Sequence, residues 1–159
     1  MAKVNRGKGF EKEIREAFER EENISVDRLK DTQARFKDND NVADFIIYKY
    51  PYELYIECKS RRGNTLNFKN DIRPNQWEGL QMKSTIKGVR AGVLVWFIDH
   101  DLTAYIDIEE LLKLRAKGYK SVNVKDLQKR KIEFVEIDGL KKQIYYKYDI
   151  KSLLEYIQK

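Results

Sequence analysis

Asp44, Glu57, Lys59 and Gln76 are the residues of this sequence whose types and spacing best suit chemistry. Glu57 lies thirteen positions after Asp44 and Lys59 fifteen, within the run VADFIIYKYPYELYIECKS. Two carboxylates with a lysine suit a hard divalent cation and a scissile phosphate. The constellation points to metal-dependent hydrolysis of nucleic acid. Asp44 and Glu57 would supply oxygen ligands to Mg²⁺, with the Cys58 backbone carbonyl as a third. Lys59 would hold a water or the phosphate as a point charge, and Gln76 would position either by hydrogen bonding.

The elements around these residues must bring them together. The central run reads as an apolar strand, a tight turn at Tyr50-Pro51-Tyr52 and a second strand. In the second strand Leu54, Ile56 and Cys58 share one face, and Tyr55, Glu57 and Lys59 the other. A hairpin sets the beginning of one strand beside the end of the next, so Asp44 can reach Glu57. Pro74 fits the first turn of a helix carrying Gln76, Trp77, Leu80 and Ile86, stopped by Gly88. A first helix is expected over Phe10 to Glu22, with Phe10, Ile14, Ala17 and Phe18 on one stripe. Glu11 and Glu13 flank that stripe on opposite sides, and helical periodicity hardly separates them as a further acid.

Ile24 to Leu29 reads as a short strand, Thr32 to Asn41 as a polar loop, and Arg61 to Asp71 as polar and irregular. Ala91 to Ile98 is apolar on both faces, as a central strand with layers on each side must be. Asp99-His100-Asp101 makes a turn, Leu102 to Ile106 returns antiparallel, and Glu109 to Lys117 forms a helix ended by Gly118. Ile132 to Ile137 and Gln143 to Tyr148 suggest further strands, and Asp149 caps a last helix. The order predicts an α/β domain (α+β, mixed sheet) with helices on both faces. It is read as one nuclease domain over residues 1–159, with 1–9 a flexible basic arm.

With 159 residues the chain can bury a full core, and its 42% apolar and 36% charged content is that of a globular domain. A net charge of +6 favours polyanionic partners. A single cysteine, Cys58, excludes an internal disulfide. With a single histidine, His100, a structural zinc site is excluded as well. There is no apolar run of signal-peptide or membrane-spanning length, so the expectation is a cytoplasmic protein with no membrane or small-molecule partner. Cations that could meet DNA phosphates are Lys3, Arg6, Lys8, Arg35, Lys37, Arg61, Arg62, Lys69 and Arg73. Trp77 and Trp96 are expected in the core. The tyrosines of the hairpin and of residues 145–148 are expected to pack on the sheet, with stacking on unpaired bases the alternative.

Asp44 followed by Glu57-Cys58-Lys59, after a helix bearing Glu11, resembles the PD-(D/E)xK nuclease superfamily, although Ala43 stands where the literal motif has proline. Within it the chain is similar to RecU-type Holliday junction resolvases. The likeness rests on Asn5-Arg6-Gly7-Lys8-Gly9-Phe10-Glu11, on the interval from aspartate to glutamate, and on Gln76 after the stretch Phe68 to Ile72. Lys120-Ser121 and Tyr148-Asp149-Ile150 extend it into the C-terminal third. Two features depart from the family. The interval between first helix and aspartate is short, with Arg28, Lys30, Arg35 and Lys37 as its cations, and Ala43 replaces a hydroxyl residue.

The resemblance implies a restriction-endonuclease-like core and assigns Glu11 over Glu13 as the helix acid. It also implies a Mg²⁺-dependent homodimer, with Mn²⁺ as substitute, that binds four-way DNA junctions and nicks two strands symmetrically. Compatible alternatives are another nuclease on the same fold, of restriction, repair or exonuclease type, or a non-catalytic DNA-binding module.

Overall fold

The computed structural model describes residues 5–29 and 41–159. Its first helix, α1 (Arg6–Glu19), starts four residues earlier than the apolar stripe suggests. The Asn5 side chain accepts from the Lys8 amide at 3.1 Å and so caps the helix ahead of its glycines. Arg6 to Gly9 are therefore helical rather than part of an arm, and residues 1–4 lie outside the described residues. Gly9 is needed for contact, because a Cβ there would overlap the Tyr145 ring. The helix ends before Asn23, which adopts positive φ (58°).

Next come β1 (Ser25–Arg28), β2 (Phe45–Lys49) and β3 (Tyr52–Arg61). β2 and β3 form the expected hairpin, with Phe45 opposite Ile56 and Lys49 opposite Tyr52. That register sets Asp44 across from Glu57. The segment read as irregular after β3 is ordered instead: β4 (Thr65–Asn67) runs into a single turn, α2 (Phe68–Asp71). Its polar composition hid two anchors, Leu66 and Phe68, both buried in the core. Asn67 then caps α2 by accepting from the Lys69 and Asn70 amides.

Helix α3 (Pro74–Ser84) begins at the proline, as its fixed φ favours. It ends before Ile86, which is exposed instead of extending the helix stripe. The crossover through α2 and α3 leads into β5 (Val89–Phe97), which pairs parallel with β3. β6 (Leu102–Asp107) returns antiparallel after one turn of 3-10 helix over Ile98–His100. Then follow α4 (Ile108–Ala116), β7 (Ser121–Asn123), α5 (Val124–Gln128) and β8 (Val135–Glu136). β9 (Asp138–Lys141), β10 (Tyr146–Asp149) and α6 (Lys151–Ile157) complete the described chain. Ile132 was expected in a strand; it is buried ahead of β8 as a core plug. Asp149, expected as the cap of the last helix, lies one residue ahead of the N-cap Ile150 and accepts from the Lys151 amide instead.

The main sheet has six strands in the order β1-β2-β3-β5-β6-β8, mixed in direction, with helices on both faces. This is the α+β architecture expected from the order of elements. One face packs Tyr55, Val93, Val95 and Ala104 against α3 and α4 through Trp77, Leu80 and Leu111. The other packs Leu54, Ile56, Leu94 and Trp96 against α1, α6 and the β9–β10 hairpin. β5 contributes to both cores, which explains why its sequence is apolar without alternation. Among the described residues no helix is long and apolar enough to cross a membrane.

Candidate active site

Asp44, Glu57, Lys59 and Gln76 meet at the C-terminal part of the hairpin, on the sheet face that α3 covers. Residues two apart on a strand share a face, so Glu57 and Lys59 stand side by side. Lys59 Nζ lies 3.1 Å from Glu57 Oε1. From the first turn of α3, Gln76 Nε2 donates to the same oxygen at 2.7 Å. The Gln76 carbonyl oxygen accepts from Lys59 Nζ at 3.3 Å and from the Arg73 amide at 3.0 Å. The three side chains thus close a ring, and Gln76 is at once the link to Glu57 and the cap of its own helix.

Asp44 enters from β2. Its Oδ2 accepts from the Cys58 amide at 2.7 Å, and its own amide donates to the Ile56 carbonyl at 2.9 Å. The carboxylate is thereby held across the hairpin from Glu57. Both described bonds to Glu57 fall on Oε1.

Burial makes this cluster electrostatically costly. Glu57 is 6% exposed and Gln76 is fully buried. Loss of solvent and, next, the negative charge of Asp44 push the Glu57 carboxyl up to about 7, against the pull of Lys59 and Arg73. The Cys58 thiol is raised by burial and by Asp44, Glu57 and Glu11, so it stays protonated and is no nucleophile.

The two helix acids part company. Glu13 is buried and takes Lys142 Nζ at 2.5 Å, which fastens α1 to the loop between β9 and β10. Glu11 is half-buried, pairs with Arg28 at 3.3 Å, and sends its field toward Cys58. It stands outside the Glu57–Lys59–Gln76 ring. Among the described residues no group of three or more His, Cys, Asp or Glu side chains is close enough to hold a metal.

The cations fall into three sets. Lys3, Arg35 and Lys37 lie outside the described residues. Arg61 and Arg62 are tied to carboxylates, Arg61 to Asp71 at 3.4 Å and Arg62 to Asp99 at 2.9 Å. Asp99 also accepts from the Gly63 amide, so this loop is latched onto the turn before β6. Lys69 and Arg73 are exposed on α2 and at the start of α3, and Arg6 lies in the first turn of α1.

Lys8, named from the sequence as a DNA-contacting cation, lines a basic groove beside Glu11 with Arg28 and Phe45, and sequence reasoning missed Lys12 and Arg15 there. Lys8, Lys12 and Arg15 recur at four- and three-residue steps, a stripe that helical spacing alone could have revealed. Arg28 joins them only because β1 runs beside α1.

No protein-family model matches the chain, and no curated protein matches it. Among solved structures it is similar to Hjc from Archaeoglobus fulgidus, a Holliday junction resolvase from an archaeal hyperthermophile. The likeness has a TM-score of 0.49 and 16% identity, over 65% of this chain and 78% of that one.

Proposed function

We propose that the protein is a Mg²⁺-dependent endodeoxyribonuclease on a restriction-endonuclease-like core, acting on four-way DNA junctions as a homodimer with paired, symmetric nicks. The observation that carries the hydrolytic reading is the convergence of Lys59 and Gln76 on the buried Glu57 Oε1, with the Asp44 carboxylate held on the Cys58 amide across the hairpin. The preference for junctions and the dimer come from the sequence resemblance to RecU-type resolvases.

The donor set fits a hard cation. It consists of oxygen only: the Asp44 and Glu57 carboxylates and the Cys58 carbonyl. Magnesium is commonly held by one or two carboxylates while keeping several waters, so a third acidic side chain is not required. The Glu57 carboxyl is raised first by burial and then by the charge of Asp44, and a cation would offset both. When bound, Mg²⁺ supplies an activated water and neutralises charge on the phosphate.

The remaining roles belong to the chain. Lys59 holds the attacking water or a phosphate oxygen, already oriented by Glu57 and Gln76. Gln76 fixes the Glu57 rotamer from the rigid start of α3. Glu11, from α1, faces the groove of Lys8, Lys12 and Arg15, along which the DNA backbone would run. In the hydrolysis, water oxygen bonds to phosphorus and loses a proton, one P–O ester bond breaks, and the departing sugar oxygen takes up a proton to leave as a hydroxyl.

The decisive experiment compares junction, flap, duplex and single-stranded substrates with and without Mg²⁺. The expectation is tight junction binding in metal-free buffer and paired nicks once Mg²⁺ is added. Asp44→Ala and Glu57→Ala should abolish nicking while leaving junction binding nearly intact. Retained cutting in both variants removes these residues from the mechanism. Equal cutting of plain duplex assigns a different nuclease on the same fold, and calorimetry without Mg²⁺ or Mn²⁺ binding makes the chain a non-catalytic module.

A further inference from the structure

Gln76 turns toward Glu57, while Pro74 and Trp77 of the same helix line a separate cavity of about 520 Å³. That size lies within the roughly 300–1,000 Å³ of sites that enclose small organic groups. Its wall is aromatic: Phe68 and Trp77 meet edge to face, with ring centroids 5.3 Å apart. Tyr119, 42% exposed, stands at the mouth. Lys69, Arg115 and Lys120 also line the cavity, and among the described residues no aspartate or glutamate does. Arg115 lies 4.2 Å over the Trp77 ring, so its planar cation is laid along the wall.

The backbone holds this arrangement in place. Gly118 ends α4 with φ at +94°, and the Tyr119 amide donates to the Leu114 carbonyl at 3.0 Å. The Phe68 amide donates to the Lys120 carbonyl at 3.0 Å, which joins the two walls.

We propose that this cavity binds an unpaired nucleotide of a nucleic-acid strand, its base against the exposed Tyr119 ring, which Phe68 and Trp77 back from the core, and its phosphates on Lys69 and Lys120. The inference rests on the nucleic-acid reading of the neighbouring site. Charge selects the ligand class: an apolar pocket lined by three cations and no acid complements a phosphodiester that carries an apolar flat group. Pairing selects the state. In a duplex each base hides its faces in the stack, whereas an unpaired base offers one to an aromatic side chain. α3 carries both features within one helical turn, Gln76 toward Glu57 and Pro74 and Trp77 toward the cavity.

The test uses a duplex bearing a short unpaired 2-aminopurine overhang and a blunt duplex of equal length, in metal-free buffer. Wild-type protein should quench the 2-aminopurine and bind the overhang substrate more tightly than the blunt one. Tyr119→Ala should lose the quench and weaken overhang binding roughly 5- to 150-fold, the range of one stacking contact. Tyr119→Trp should restore both, and blunt-duplex binding should not change in either variant. Equal overhang binding by wild type and Tyr119→Ala overturns the pocket while leaving the nuclease reading intact. Quenching and overhang preference without any nicking supports the pocket and counts against the nuclease. Failure to bind either DNA overturns both.

Discussion

At the scale of single residues, Glu57 is a carboxylic acid taken largely out of water. Its carboxyl is raised from 4.5 to about 7, chiefly by burial and then by Asp44. The folded state thus binds this proton more tightly than the unfolded chain does. The associated stability is full below about pH 4.5 and is lost as pH rises through about 7. Metal-free wild-type protein should therefore lose thermal stability relative to Glu57→Gln over that window, and Mg²⁺ added above pH 7 should recover it. A melting-temperature gap that stays constant from pH 4.5 to 8 would contradict the assignment. Gln76 gives a second prediction at this scale. Gln76→Ala deletes the bond that orients Glu57, so Mn²⁺ affinity or nicking rate should fall about 10- to 100-fold. Calorimetry and initial rates check it, and unchanged values would leave Gln76 as a helix cap only.

At the scale of elements, the site depends on three chain segments arriving in register. The β2–β3 hairpin sets Asp44 against Glu57, the parallel β3–β5 pair anchors the floor, and the crossover delivers the start of α3. β5 is the least forgiving of these. A Cβ built on Gly92 would come within 2.5 Å of the Ile106 carbonyl oxygen, and backbone in a central strand cannot swing away. Gly92→Ala should destabilise the fold by about 1–3 kcal/mol, the cost of overpacking a closed core. Urea unfolding measures this, and a midpoint equal to wild type would mean that β5 and β6 can separate there at no cost. α1 is held in a different way, through its apolar stripe and through the Glu13–Lys142 contact, which leaves Glu11 turned to the groove.

At the scale of the whole molecule, the proposed function would have charge and symmetry govern how DNA is met. The net charge of +6 is spread over the chain, yet the structure gathers Lys8, Lys12 and Arg15 beside Glu11. If these three neutralise three phosphates, log affinity should fall with log salt at a slope of about −2.7 or steeper. Lys12→Ala should reduce that slope by about 0.9. Anisotropy titrations between low and physiological salt read it, and a slope near zero would place the DNA elsewhere. Paired nicks need two equivalent sites, so sedimentation of the junction complex should give two protomers per junction.

The amino-acid sequence determined the fold class, the hairpin and the identity of the clustered side chains. Strand alternation, the Tyr50-Pro51-Tyr52 turn and the unbroken apolar run of β5 are local signals that burial on one or two faces imposes. It also named Gln76, at the start of its helix, as a group to position water or phosphate, whereas the structure has its amide hold Glu57. What the tertiary structure alone decided depends on contacts between segments distant along the chain. Lys142 selects Glu13 from 129 residues away and so separates it from Glu11. β7 pairs with β4 and turns an irregular-looking stretch into a wall of the aromatic cavity. Burial between β3 and α3 raises the Glu57 carboxyl, a property of packing that no spacing in the sequence encodes.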